Sequence, residues 1–137
     1  MTKILGIDLG TKRIGLALSN IERSFAFPLK VMEVQNLTNN IAKIAGEIAD
    51  LAKTEGVTEI VIGESKNFKG IENPIMQYVH LFKAYFLENG FTVVLEPEFL
   101  TSEQAQRHQG KGVLLDASAA AIILQSYLDR LQKANQA

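Results

Sequence analysis

The sequence predicts a single mixed α/β domain, a five-stranded sheet flanked by helices, and three observations carry that prediction. The chain opens on two β patterns joined by a tight turn, which makes an antiparallel pair. Farther along, short apolar runs alternate with helical periodicity, the order expected of parallel βαβ units. Its 137 residues, 47% apolar and 21% charged, have the size and composition of one globular domain. No repeat, low-complexity segment or linker divides residues 1–137.

The elements follow in order. Lys3 to Leu9 is apolar and β-prone, Gly10-Thr11-Lys12 is turn-like, and Arg13 to Ser19 alternates. In that second run Ile14, Leu16 and Leu18 share one face, and Gly15, Ala17 and Ser19 the other. A third strand is expected within Leu29 to Val34, after Pro28. Ile41, Ile44, Ala45, Ile48, Leu51 and Ala52 then recur at helical steps, ending near Gly56. Val57 to Gly63 is short and apolar, a buried strand. Asn73-Pro74 offers an N-cap and a first-turn proline to a helix with the stripe Met76, Val79, Phe82 and Phe86, stopped by Gly90. Phe91 to Leu95 is the fifth strand. Thr101-Ser102-Glu103-Gln104 is a capping-box pattern for a short helix, and His108 to Gly112 is a loop. The last helix repeats Ala119, Ile123, Tyr127 and Leu131 beside Ala120, Leu124 and Leu128, and the polar tail after Gln132 is expected to fray.

Composition narrows the function. Without cysteine there is neither a disulfide nor a thiolate metal site. The start, Met1 to Gly6, is too short an apolar stretch for a signal peptide before Asp8 interrupts it. No run approaches the roughly 20 apolar residues that span a bilayer, so the expectation is a cytoplasmic protein with no membrane partner. A net charge of −1 excludes a broadly basic surface, so any nucleic-acid contact must be local.

The acids are the informative residues. Asp8 interrupts a segment otherwise fit for a central strand, and burying an unpaired carboxylate costs on the order of several kcal/mol. It is either a structural carboxylate paired with Lys12 or Arg13, or a metal ligand presented by a strand. Glu98 stands just past the fifth strand with Glu96 shortly before it, and Glu64 stands just past the fourth. Strand ends are where an open α/β sheet collects ligand-binding groups. Asp116 opens the final helix, where an acid also complements the helix dipole. Carboxylates gathered from such positions are hard donors suited to Mg2+ or Mn2+. Two such ions roughly 3.5–4 Å apart support phosphodiester hydrolysis without histidine or cysteine. His80 falls in an apolar helical pattern and is expected in the core or an interface, while His108 is expected at the surface.

Larger motifs point to a family. Gly6-Ile7-Asp8-Leu9-Gly10-Thr11-Lys12-Arg13-Ile14-Gly15-Leu16-Ala17 resembles the opening signature of the YqgF/RuvX family. Pro28-Leu29, the Gly63 to Gly70 loop with Lys66-Asn67, Leu100 to Ala105, and Asp116 to Leu128 are similar to its later segments, in order. The resemblance implies a ribonuclease H-like fold related to Holliday-junction resolvases, and a nuclease processing the 5′ end of precursor 16S rRNA. It maps Asp8, Glu98 and Asp116 onto the family's catalytic, metal-binding positions. Members commonly carry Asp-Glu-Arg where this chain has Pro97-Glu98-Phe99, and Gly-Leu-Pro where it has Gly63-Glu64-Ser65. The lost arginine removes a bidentate partner for phosphate or carboxylate. Glu64 is either a compensating additional acid or a solvated loop residue.

Lys12, Arg13, Lys66, Lys69, Arg107 and Lys111 fall in turns and loops beside the acids, a local cationic rim suited to phosphates. Other classes compete. Gly6 to Thr11 also looks like the first phosphate loop of actin-like ATPases and sugar kinases, but those need two such domains, and no Walker A sequence is present. A non-catalytic nucleic-acid-binding or ribosome-assembly module, or a resolvase-like enzyme for branched DNA, would use the same fold. Junction cutting would favour a homodimer.

Overall fold

In the computed structural model, residues 2–65, 70–97 and 113–136 are described, with side chains in the last stretch from 117 to 134. Strands β1 (Lys3–Leu9), β2 (Arg13–Ser19) and β3 (Ala26–Glu33) form the expected antiparallel meander. Strands β4 (Val57–Glu64) and β5 (Thr92–Pro97) continue the sheet parallel to β1, giving the order β3-β2-β1-β4-β5. A 3₁₀ turn (Leu37–Asn39) leads into α1 (Ile41–Thr54), while α2 (Met76–Glu88) links β4 to β5 and α3 (Val113–Gln136) closes the chain.

Strand alternation divides the apolar side chains between two cores. Leu5, Ile7, Leu9, Ile14, Leu16, Ile60 and Ile62 pack with the stripes of α1 and α2, including Ile44, Ile48, Met76, Phe82 and Phe86. On the other face Ile4, Ala17, Ala26 and Val61 pack with Ala120, Ile123, Leu124 and Leu128 of α3. Each helix therefore buries one stripe on the sheet, which is what the periodicity of each demanded. No described helix is long and apolar enough to cross a membrane.

Three expectations are corrected. The third strand starts at Ala26, before Pro28, because β3 is the sheet edge, where a proline is tolerated, and the pairing shifts register between Leu16 and Ala17. Asn73 does not cap α2 with its side chain. Its amide instead donates to Ser65 Oγ, and Ile75 stands at the cap position. His80 is not in the core: it is exposed on the outer face of α2, 3.1 Å from the Glu72 carboxylate, off the stripe that meets the sheet. Helix α3 extends to Gln136; Leu131 packs on the second core and Gln132 Nε2 donates to the Arg23 carbonyl at 3.4 Å. The capping box at Thr101 and the loop His108 to Gly112 lie outside the described residues.

Candidate active site

The site is organised by the direction of α3 across β1. Gly6 lies beneath this helix: a Cβ added there would come 2.7 Å from Leu124 Cβ and 3.1 Å from the Ala120 carbonyl oxygen. Near the other end of α3, Gln132 reaches the Arg23 carbonyl, and Arg23 in turn donates to the Thr2 carbonyl at 2.8 Å, just before β1 begins. Helix α3 therefore runs antiparallel to β1, and its N-terminal turns lie toward the C-terminal end of that strand.

Asp8 stands at that end. It shares the parity of Ile4 and Gly6, so it belongs to the α3 face, and it is half-buried. From Gly6 to Asp8 a strand advances about 6.6 Å, and from Ala120 back to Asp116 a helix advances about 6 Å. Asp8 and the helix backbone at position 116 thus lie toward the same end of the sheet. The turn after β1 is fixed by a close contact, since a Cβ on Gly10 would meet the Arg13 carbonyl oxygen at 2.5 Å. The Lys12 carbonyl accepts the Val34 N–H at 2.8 Å, tying this turn to the exit of β3.

The other predicted residues are placed as follows. Glu64 is the last residue of β4, half-buried, at the same end of the sheet as Asp8 but with the parity of Ile60 and Ile62. Lys12 and Arg13 are exposed and meet at a cavity of about 660 Å³ shared with Glu33, Lys43 and Glu47. For Asp116 the helix backbone is described and the side chain is not, while Glu98, Lys66, Lys69, Arg107 and Lys111 lie outside the described residues. Among the described residues no three His, Cys, Asp or Glu side chains gather as a metal site.

Sequence reasoning missed Lys43 here, and named Glu96 without its partners. Lys43 joins Lys12 and Arg13 from the first turn of α1. Glu96 is 3% exposed and is held by Ser126 and Arg130 of α3. Its parity with Val94, which packs on the second core, was the available signal.

An open sheet of order 3-2-1-4-5, with β2 antiparallel to both neighbours and a long helix laid across β1, defines an α/β protein of the ribonuclease H type. Within that class the chain belongs to the RuvX family, whose model, described as Holliday junction resolvase, matches residues 2–130. A protein of Endomicrobium trichonymphae named "Putative pre-16S rRNA nuclease" is 36% identical over 94% of this chain and 96% of its own. One of the same name from Moorella thermoacetica is 32% identical over 94% and 96%. In fold, Thermus thermophilus RuvC superposes with a TM-score of 0.62 at 16% identity, covering 95% of this chain and 96% of its own. The Fowlpox virus resolvase bound to Holliday junction DNA gives 0.61 at 12% identity, covering 94% and 98%.

Proposed function

We propose that this protein is a nuclease that hydrolyses phosphodiester bonds of precursor 16S rRNA at its 5′ end, using Asp8, Glu98 and Asp116 to hold Mg2+ or Mn2+. The observation that carries the proposal is the half-buried carboxylate of Asp8 on the α3 face, at the end of β1 toward which the N-terminus of α3 is directed. The donor set fits such ions: three carboxylates are hard oxygen ligands, and the chain has no cysteine to favour a softer metal. Bound there, the ions supply the positive charge that eases deprotonation of a water and offsets charge on the leaving oxygen. The chain's own part is to hold the carboxylates at fixed places and to exclude bulk water with the α3 packing. Lys12, Arg13, Lys66, Lys69, Arg107 and Lys111 are the residues proposed to track the phosphate backbone, and Glu64 is proposed as an additional acid at the same strand ends. The relatives' names support the rRNA substrate, which also implies a cytoplasmic location.

The second substrate class is branched DNA, favoured by the description of the matching family model, and it would call for a homodimer. Cleavage of labelled precursor 16S rRNA, single-stranded RNA and four-way DNA junctions, with and without Mn2+, tests both. Metal-dependent cutting of the precursor at its 5′ end is expected. Cutting of junctions alone would replace RNA with DNA, and salt-sensitive binding without any cleavage would leave a nucleic-acid-binding module.

A further inference from the structure

The cavity of about 660 Å³ between the β1–β2 turn, the exit of β3 and the start of α1 has the size of a small-ligand site, roughly 300–1,000 Å³. Its lining is chemically mixed. Lys12 and Arg13 reach it from the turn and Lys43 from the first turn of α1, while Met32 and Ile44 give it an apolar floor continuous with the first core. Among the described residues neither Lys12 nor Lys43 forms an ion pair, although Glu33 and Glu47 line the same cavity. The walls are tied down. Asn40 Nδ2 donates to the Gln35 and Asn36 carbonyls at 3.3 and 2.9 Å, and Thr38 shares a 2.9 Å hydrogen bond with Tyr78 of α2.

The sheet register sets the distance to Asp8. Asp8 pairs with Gly15, Gly15 pairs with Val31, and Glu33 follows two residues on, opposite Arg13. Two strand spacings and two residues of rise place the Glu33 backbone about 12 Å from that of Asp8. The cavity floor lies on the α1 side, whereas Asp8 belongs to the α3 face, so a nucleic acid serving both must turn round the β1–β2 connection. A double helix, with a persistence length of about 150 base pairs, resists so tight a turn, and a single strand does not. The two carboxylates argue the same way. They repel a continuous row of phosphates, whereas a splayed base presents N–H groups that a carboxylate accepts.

We propose that this cavity is a subsite for one unstacked nucleotide of a single RNA strand, with Lys43 joining Lys12 and Arg13 on its phosphate. The proposal rests on the nucleic-acid reading of the Asp8 site above.

Fluorescence anisotropy of a short single-stranded RNA, with the full chain in chelator, tests it without metal or cleavage. Lys43→Gln is expected to weaken binding about tenfold, as loss of a hydrogen bond to a charged group does. The log–log salt dependence should flatten by about 0.7, the share of one phosphate on a single strand. Lys53→Gln removes the same charge from the last turn of α1 and should change neither quantity. Both lysines are exposed, so both variants should melt as wild type does. Duplex RNA of the same length should bind Lys43→Gln and wild type alike. With 2-aminopurine placed at successive positions of the strand, one position should brighten on binding as its base leaves the stack. Wild-type affinity in Lys43→Gln, or no brightened position, would overturn the subsite. Equal losses in Lys43→Gln and Lys53→Gln, or on single strand and duplex, would overturn it too, by reducing the effect to general charge. The nuclease reading fails separately: a strand held as described but never cut with Mn2+ would remove the cleavage and support the subsite. Cleavage at wild-type kcat/KM in Lys43→Gln would remove the subsite and leave the nuclease.

Discussion

Gly6 and Leu124 are in such close apposition that one additional carbon would not fit: a Cβ on Gly6 would stand 2.7 Å from the Leu124 Cβ. Because the obstructing atom is anchored to the helix backbone, no side-chain rotation relieves the contact. Helix α3 itself would have to lift.

Gly6→Ala is therefore expected to destabilise the fold by about 1–3 kcal/mol, the usual cost of overpacking a filled core. The same shift would move the N-terminal turns of α3 away from the end of β1. Urea denaturation should show the loss as a lower midpoint with an unchanged slope. A Gly6→Ala chain as stable as wild type would mean that α3 is not seated on β1 as described.

Asp8→Asn separates the metal reading from a structural one. If carboxylates gather at this end of the sheet, removing one charge relieves repulsion, so the variant should fold at least as stably as wild type in chelator. Wild type should gain about 2.7 kcal/mol when Mn2+ is at a hundred times its dissociation constant, and Asp8→Asn should lose most of that gain. Thermal melts with and without Mn2+ measure both quantities. An Asp8→Asn chain that is unstable in chelator and still stabilised by Mn2+ would make Asp8 the structural partner of a neighbouring cation.

The faces of the sheet were legible because alternation is local: Ile14 and Leu16 separate from Ala17 into the two cores from the sequence alone. So was the helical stripe of α2, whose Met76, Val79, Phe82 and Phe86 are all buried. What stayed hidden depends on register and on contacts distant in the chain. Nothing in the sequence places Gly63 opposite Glu96, or brings Arg130 to a strand 34 residues earlier. His80 was misread because an apolar pattern does not say how wide a stripe the sheet covers, and Pro28 because edge position is a property of the assembled sheet. The acid Asp8 stood out in sequence for a physical reason, since a carboxylate in an apolar strand requires a partner.

Tyr127 gives a measurable pH dependence at the opposite end of α3. Burial pushes its phenol up to about 12 from 10.0. The hydrogen bond to Glu59, 3.0 Å from the hydroxyl, and that carboxylate's charge add to the rise, while Arg23 and Arg130 pull the other way. The unfolded chain then gives up this proton first. The contribution of Tyr127 to stability is fully present below pH 10 and is lost as pH rises through about 12. Phenolate absorbance should show Tyr127 titrating above the ordinary tyrosine value. Glu59→Gln should bring that titration down while leaving it above the ordinary value, because burial remains. No change in Glu59→Gln would remove the carboxylate from the account.

Glu64 and Asp8 end neighbouring parallel strands, but not in equivalent ways. Asp8 carries the parity of Gly6, under α3, whereas Glu64 carries that of Ile60 and Ile62, on the side of α1 and α2. Glu64 is the last residue of β4 and pairs with Pro97, which has no N–H to give the ladder, so the strand fixes its direction less firmly than it fixes that of Asp8. An additional acid in this place can reach a metal site only from the margin, and the two substitutions should differ in rank. Asp8→Asn is expected to abolish Mn2+-dependent cleavage, and Glu64→Gln to reduce it about tenfold, equivalent to about 1.4 kcal/mol of barrier. The loss in Glu64→Gln should shrink as Mn2+ is raised, since a marginal ligand contributes to ion affinity more than to the reacting geometry. Undiminished activity in Glu64→Gln, beside loss in Asp8→Asn and Glu98→Gln, would return Glu64 to the solvated surface and leave the three-carboxylate site to act without it.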